Sequence, residues 1–252
     1  MTDHTGNQVV RVDPAAGRVV ERIKVGGYPF GLAYGAGSVW VGSRYGDAVT
    51  RLDPSTGKRK ARIRVGRAPY ALAYGGGSVW VTNEDGGTVS RIGSKRNKVI
   101  GTIRVGGRPN GIAVAFGKVW VADYGRGRLI RVSAARNRVE KSVRLPTADW
   151  ITPAAGSLWV SSETGFVYRV DPATMKVAAK IAVGQNPLAS ADGGGQLWVP
   201  NIDSGTVSVI DLATGHVLST EPAGPQPIAA VVSGGSAWVT SELDGDLWQF
   251  HL

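Results

Sequence analysis

The 252-residue chain contains no cysteine, so disulfides, thiolate metal sites and a cysteine nucleophile are all excluded. Histidine is scarce, with His4, His216 and His251 as the full set, which leaves little for histidine-based acid–base chemistry. No apolar run approaches the roughly 18 residues that a membrane helix needs, and Met1 to Gln8 is polar, without the apolar core of a signal peptide. Helix-forming runs free of glycine and β-branched residues are also missing. With 36 glycines present, that absence points to an all-β chain of short strands and tight turns.

What the chain does contain is one phrase repeated. Gly-Ser-Val-Trp-Val and close variants place Trp40, Trp80, Trp120, Trp159, Trp198 and Trp238 at intervals of 39 or 40 residues. A fixed period in the range of about 20 to 50 residues signals one supersecondary unit, each copy burying its apolar face against the next. In the copy from Val25 to Arg64, the expected strands are Gly31 to Tyr34, Ser38 to Val41, Ala48 to Leu52 and Lys58 to Arg64. The turn Asp53-Pro54-Ser55-Thr56-Gly57 combines an Asp that caps the backbone ahead, a Pro that presets φ and a Gly for positive φ. It returns at Asp13 to Gly17, Asp171 to Met175 and Asp211 to Gly215, with Gly lost at Met175.

Around Trp40 both strand faces are apolar, as in a sheet sandwiched between two others. A Trp buries roughly 150 to 250 Å², on the order of 4 to 6 kcal/mol gross, so the six Trp are core residues. Six such sheets predict a six-bladed β-propeller of four-stranded antiparallel blades. It is expected as a single domain over residues 7–252, with repeats at 25–64, 65–104, 105–144, 145–182, 183–222, and 223–252 plus 7–24. Val19 to Lys24 is expected to close the ring as the outermost strand of the C-terminal blade. The third strand of that blade has two candidates, Val9 to Val12 and Leu247 to Phe250.

The net charge of +10 is unevenly shared. Residues 1–144 carry 26 Lys and Arg against 9 Asp and Glu, whereas residues 145–252 carry 3 against 10. Arg22, Lys24, Lys58, Lys60, Arg62, Arg64, Lys98, Arg104, Arg138 and Arg144 fall on or beside the fourth strands and form a basic belt. It reads either as charge that keeps sheet edges from pairing or as a surface for a polyanion such as nucleic acid or an acidic wall polymer.

The phrases Pro-x-x-[Leu/Ile]-Ala, Gly-Ser-Val-Trp-Val-Thr-Asn and Asp-Pro-x-Thr-Gly-Lys resemble the YVTN-type β-propeller repeat and the repeats of the virginiamycin B lyase superfamily. Val79-Trp80-Val81-Thr82-Asn83 is the nearest match, and the resemblance covers nearly the whole chain. It implies a propeller whose relatives include a streptogramin lyase and sensor or surface domains. The lyase is seven-bladed and works with a face-side His, acidic neighbours and a divalent metal. Here His4 is expected in the N-terminal tail, His216 in a turn between third and fourth strands, and His251 next to last, so none is expected in a loop after a second or fourth strand. No catalytic residue, metal ligand or cofactor is therefore assigned.

Sequence differences between copies concentrate in those loops, which are expected to ring the channel mouth. The candidate ligand-binding residues are Tyr28, Phe30, Tyr45, Arg67, Tyr70, Arg108, Asn110, Tyr124, Trp150, Asn186, Asn201 and Gln226, a mixture of aromatic, charged and amide groups suited to a small molecule, saccharide or protein partner. Trp150 stands where other copies have Gly31, Ala71, Gly111, Ala189 and Ala229. It fills a gap left by its altered lead-in, Leu145-Pro146-Thr147-Ala148-Asp149, or it meets a ligand. The expectation is a non-catalytic recognition or sensor module, monomeric, without membrane insertion, and part of a larger extracytoplasmic bacterial protein. Lyase activity and self-assembly through the oppositely charged halves are the alternatives.

Overall fold

A computed structural model describes residues 1–252, which are all β apart from single turns of 3₁₀ helix at Arg44–Gly46 and Tyr124–Arg126. No helix is long and apolar enough to cross a membrane. The chain divides into two compact units, Met1–Arg144 and Leu145–Leu252. That division falls where the charge changes sign, between the 26-to-9 basic part and the 3-to-10 acidic part.

The first unit holds four antiparallel sheets. β1 (Thr2–Asp3), β2 (Gln8–Asp13) and β3 (Arg18–Lys24) make the first. β4 (Pro29–Gly35), β5 (Ser38–Ser43), β6 (Ala48–Leu52) and β7 (Arg59–Arg64) make the second. The third comprises β8 (Pro69–Gly75), β9 (Ser78–Asn83), β10 (Thr88–Gly93) and β11 (Lys98–Arg104). The fourth comprises β12 (Pro109–Ala115), β13 (Lys118–Asp123), β14 (Arg128–Ser133) and β15 (Arg138–Arg144).

The second unit holds three sheets. They are β16 (Ala148–Ala154), β17 (Ser157–Ser162), β18 (Phe166–Val170) and β19 (Val177–Ala182); then β20 (Ala191–Gly193), β21 (Gln196–Asn201), β22 (Thr206–Asp211) and β23 (Val217–Pro222); then β24 (Pro227–Ser233), β25 (Ser236–Ser241) and β26 (Leu247–His251).

Seven sheets therefore replace the six blades expected from the Trp count. The Val19 to Lys24 segment does not complete the C-terminal blade; β3 pairs with β2, Asp13 opposite Arg18 and Gln8 opposite Lys24. A hairpin closed by the short turn Pro14 to Gly17 has little loop entropy to overcome, so local pairing wins over a distant partner. Leu247–His251 takes the third place beside β25, Trp238 opposite Gln249. The doubled third strand thus belongs to two different sheets, β2 in the first and β26 in the last. Because the second strand of the first sheet is only Thr2–Asp3, that sheet contributes no Trp phrase and is invisible to a count of tryptophans.

The second strands form the core. β9 and β17 are buried at all six positions, and Trp40, Trp80, Trp120 and Trp159 are at most 1 % exposed. Each of these four indoles donates to a carbonyl five residues back: Trp40 to Gly35, Trp80 to Gly75, Trp120 to Ala115 and Trp159 to Ala154. Packing runs from sheet to sheet: Trp40 contributes to one cluster with Val49, Ile63, Leu72, Val79, Val81 and Ile92. In the Asp53 turn, the carboxylate accepts from the amides of Ser55 and Thr56, both at 2.9 Å, and Gly57 sits at φ 65°. Where glycine is lost, Met175 adopts φ 63° and is buried, its side chain offsetting the strain of the left-handed backbone.

An arginine opposite the Trp ties successive sheets together, a role the turn sequence alone does not reveal. Arg51 lies 4.7 Å from the Trp40 ring centroid and donates to Ser38 Oγ, and to Ser94 O and Asn97 Oδ1 in the next sheet's turn, each at 2.8 Å. Arg91 repeats this on Trp80 with Ser78, Ala134 O and Asn137 Oδ1. In the second unit Arg169 stacks on Trp159 and reaches Ala213 O. The 3–4 hairpin is bulged next to each of these arginines, which re-aims the strand there. Arg91→Ala should cost about 2–3 kcal/mol, since charged hydrogen bonds contribute about 1.5–3 kcal/mol and stacking adds to them. Urea unfolding of the variant checks this, with Arg91→Lys retaining a smaller part.

Candidate functional site

In the second, third, fifth and sixth sheets the loop leaving the second strand and the segment leaving the fourth strand are stitched together. Val65 donates to Asp47 O at 2.9 Å, Val105 to Gly87 O at 3.0 Å, Val183 to Gly165 O at 3.0 Å and Ala223 to Gly205 O at 2.9 Å. The acceptor is in the left-handed region each time, from φ 46° at Asp47 to φ 82° at Gly165. This fixes the variable loops on the ends of rigid strands, where recognition residues are usually carried. The residues entering the first strands at Tyr28, Ala68, Asn186 and Gln226 also have positive φ, between 52° and 58°, immediately before a proline. Such a backbone costs on the order of 1–3 kcal/mol for a non-glycine residue and is held here by the loop bonds, Tyr28 donating to Asn7 Oδ1 at 2.8 Å.

In the first unit these loops assemble an aromatic and arginine cluster. Glu84, 3 % exposed, forms ion pairs with Arg44 through one carboxylate oxygen and Arg108 through the other. The Arg44 guanidinium lies 5.3 Å from the Tyr70 ring centroid, and Tyr70 packs on Phe30 with centroids 4.3 Å apart. The Arg108 side chain is 53 % exposed, so its outer N–H groups face solvent while its inner edge is held. Two guanidinium groups on one carboxylate leave a net positive charge beside an aromatic wall. Such a surface can pair with an acidic group and stack against a ring.

Arg108 is positioned from behind by Asp123, which is fully buried. Its carboxylate accepts from Arg128 Nη2 at 2.6 Å and Nε at 3.1 Å, from the Arg108 amide at 3.0 Å and from the Arg126 amide at 3.3 Å. Gly107, at φ 63°, leaves room for that carboxylate, since a Cβ there would collide with it.

Beside this lies a second aromatic group. His4 stacks on Tyr28 with centroids 4.5 Å apart, and Tyr28 on Tyr45 at 4.8 Å. His4 is not in a free tail: it sits between β1 and β2, in the loop that follows a second strand. The expectation that no histidine occupies such a loop is corrected at this residue. The sequence obscured it because the second strand before it is only two residues long. The neighbouring Asp3 carboxyl is held below the usual range by the Gly6 amide and then the Gln8 side chain, both at 2.6 Å.

Among the remaining candidates in the first unit, Arg67 is exposed and donates to Asp85 O at 2.9 Å, Asn110 is buried and Tyr124 is partly exposed. Asn110 O accepts from Thr82 Oγ1 at 2.6 Å. Trp150, Asn186, Asn201 and Gln226 belong to the second unit. Trp150 is partly exposed on β16, opposite Ser161. Asn201 is fully buried and donates to Thr206 and Ser208, the pairing that Asn83 makes with Thr88 and Ser90. Arg44, Glu84 and Asp123 carry the cluster; they fall in the variable loop positions, yet none is among the candidate ligand-binding residues. Glu84 directly follows β9 and Asp123 ends β13, places that many solvated carboxylates occupy, and only their burial distinguishes them. The divalent metal implied by the lyase resemblance finds no donor set, since no group of three or more His, Asp and Glu side chains could hold one.

No family model matches the chain, so the YVTN-type label is not confirmed, and no curated protein matches it. Solved structures do. A streptogramin B lyase aligns with TM-score 0.75 and 19 % identity, over 89 % of this chain and 83 % of that one. The computationally designed Ika8 protein aligns with TM-score 0.70 and 15 % identity, over 88 % and 70 %. The hydrazine synthase of Kuenenia stuttgartiensis aligns with TM-score 0.63 and 15 % identity, over 89 % and 95 %. At these identities the likeness establishes the fold. The chain is an all-β propeller with seven blades, like the lyase structure in architecture.

Proposed function

We propose that the protein is a non-catalytic recognition module whose ligand carries an acidic group next to a ring, bound on the Arg44–Glu84–Arg108 cluster. The observation that carries this reading is the buried Glu84 held between two arginines, one stacked on Tyr70 and the other half exposed. Glu84 orients both guanidinium groups before any ligand arrives, which lowers the ordering cost of binding. Arg108 offers the carboxylate or phosphate contact, and Tyr70 with Phe30 offers the stacking wall. A uronic-acid saccharide and a peptide ending in a free carboxylate are the ligand classes that match.

The test is thermal unfolding with a uronic-acid oligosaccharide and, separately, a carboxyl-terminal peptide. At a hundredfold excess over Kd, binding adds about 2.7 kcal/mol, a shift of several degrees in Tm. The shift should vanish in Arg108→Gln. Failure of both probes to shift the wild type, or an equal shift in the variant, would sink the reading.

A second reading, lyase chemistry, is favoured by one observation: His4 in a face loop of a fold shared with a streptogramin B lyase. Incubation with a streptogramin B and mass analysis separates the two readings. Turnover lost in His4→Ala supports the lyase, and absence of turnover supports the recognition module.

A further inference from the structure

The fourth strands of the first unit begin and end on cations. Arg18, Lys58, Lys98 and Arg138 stand at or just before their starts, and Lys24, Arg64, Arg104 and Arg144 at their ends. The end row occupies a single register position: Lys24 opposite Gln8, Arg64 opposite Ala48, Arg104 opposite Thr88 and Arg144 opposite Arg128. In the second unit the same position holds Ala182, opposite Phe166, and Pro222, opposite Thr206. β11 adjoins both β7 and β15, so the rows run across neighbouring sheets. At about 3.3 Å per residue, the two rows lie roughly 20 Å apart.

These cations are exposed, and Arg64, Arg104 and Arg144 make no ion pair, unlike Lys60, which lies 2.7 Å from Asp53. Protection of sheet edges does not account for the rows. The outer strands β19 and β23 leave Val177, Val217 and Leu218 exposed and end on Ala182 and Pro222 instead of a cation, although Lys176 stands just before β19 as Lys58 does before β7. Nor does association of identical chains: the second unit's excess of seven negative charges neutralises under half of the first unit's excess of seventeen positive charges.

A linear polyanion supplies the missing charge, and the chemistry of the surface favours phosphate. Three of the four end-row cations are arginines, whose planar forks match phosphate oxygens. Next to Arg62 and Arg64 an open depression of about 430 Å³ is lined by Tyr45, Gly46, Asp47 and Ala48. Tyr45 is 76 % exposed, its ring tilted 41° against Tyr28, and so presents open aromatic surface of the kind on which an unstacked base stacks.

We propose that the fourth-strand edge of the Met1–Arg144 unit binds single-stranded nucleic acid through its phosphates, with Tyr45 as a stacking platform and without reading base sequence. This surface is separate from the Glu84 cluster in its cations, and its test uses different variants. Fluorescence anisotropy with a labelled oligothymidylate, across about 50 to 200 mM salt, should give a log–log affinity slope near −0.7 per phosphate contacted. The triple variant R64Q/R104Q/R144Q should weaken binding at least tenfold at low salt and reduce the slope by about 2. The corresponding triple lysine variant should keep the slope, and unchanged thermal unfolding of both shows that the fold is intact. Tighter binding of the single strand than of duplex DNA and polyglutamate supports the assignment. No binding at low salt, an unchanged slope in the glutamine variant, or equal affinity for duplex or polyglutamate overturns it.

Discussion

Trp40→Ala should remove about 3–5 kcal/mol of stability, the cost of truncating a buried Trp to Ala. Proteins of this kind have only about 5–15 kcal/mol in total, so the variant should sit close to unfolding at ambient temperature. Three losses combine. The indole is wholly buried and belongs to a cluster that continues into the next sheet through Leu72, Val79, Val81 and Ile92, so truncation opens a void that neighbouring strands cannot close without breaking their ladders. The Gly35 carbonyl loses its donor at 3.0 Å, and Arg51 loses the ring on which its guanidinium lies. Trp40→Phe keeps most of the volume but no N–H, and should cost about 1–2 kcal/mol less. Urea unfolding followed by tryptophan fluorescence and far-ultraviolet dichroism measures both. A cost for Trp40→Ala below about 1 kcal/mol would mean that the repeated phrase does not mark the packing between sheets.

The repeated phrase made the strands legible because packing imposed the same residues on every copy. The four strands read from Val25 to Arg64 lie within one or two residues of β4 to β7 at most boundaries. The number of sheets was not legible from tryptophans, because the first sheet is built from β2 and β3 with only Thr2–Asp3 in the second-strand place. The backbone chemistry of the turn around Asp53 is legible in its residues, but nothing in them marks that such turns also receive the preceding sheet's arginine, as Pro54 and Ser55 receive Arg11. The arginine opposite Trp40, Trp80, Trp120 and Trp159 looks in sequence like any solvent-facing strand residue. The aromatic members of the candidate site, Tyr28, Phe30, Tyr45 and Tyr70, stand out because they fall where the copies differ, Tyr28 being matched by Ala68, Arg108, Asn186 and Gln226. Their anchors did not, because a carboxylate's importance at Glu84 or Asp123 lies in burial and partners brought from other loops.

Asp123→Ala should cost about 3–5 kcal/mol, as expected when one partner of a buried pair is removed, and it should act on the candidate site as well as on the fold. The carboxylate is fully buried and accepts four hydrogen bonds, two from the Arg128 side chain and two from the amides of Arg108 and Arg126. Arg128 keeps only its bond to Val105 O at 3.1 Å, and its charge is left without a counter-ion. The Arg108 amide loses its acceptor in a segment that Gly107 shapes around this carboxylate, so the guanidinium is no longer held against Glu84. Asp123→Asn preserves shape but offers one acceptor atom where two were used, and should lie between wild type and alanine. Native-state hydrogen exchange separates a local from a general effect. Protection at Arg108 and Arg126 should fall before that of β13, and the acidic-saccharide or peptide shift should disappear while the sheets remain folded. Uniform loss of protection across the fourth sheet, with the Arg108 segment no more exposed than the strands, would show that Asp123 supports the blade alone and does not position the site.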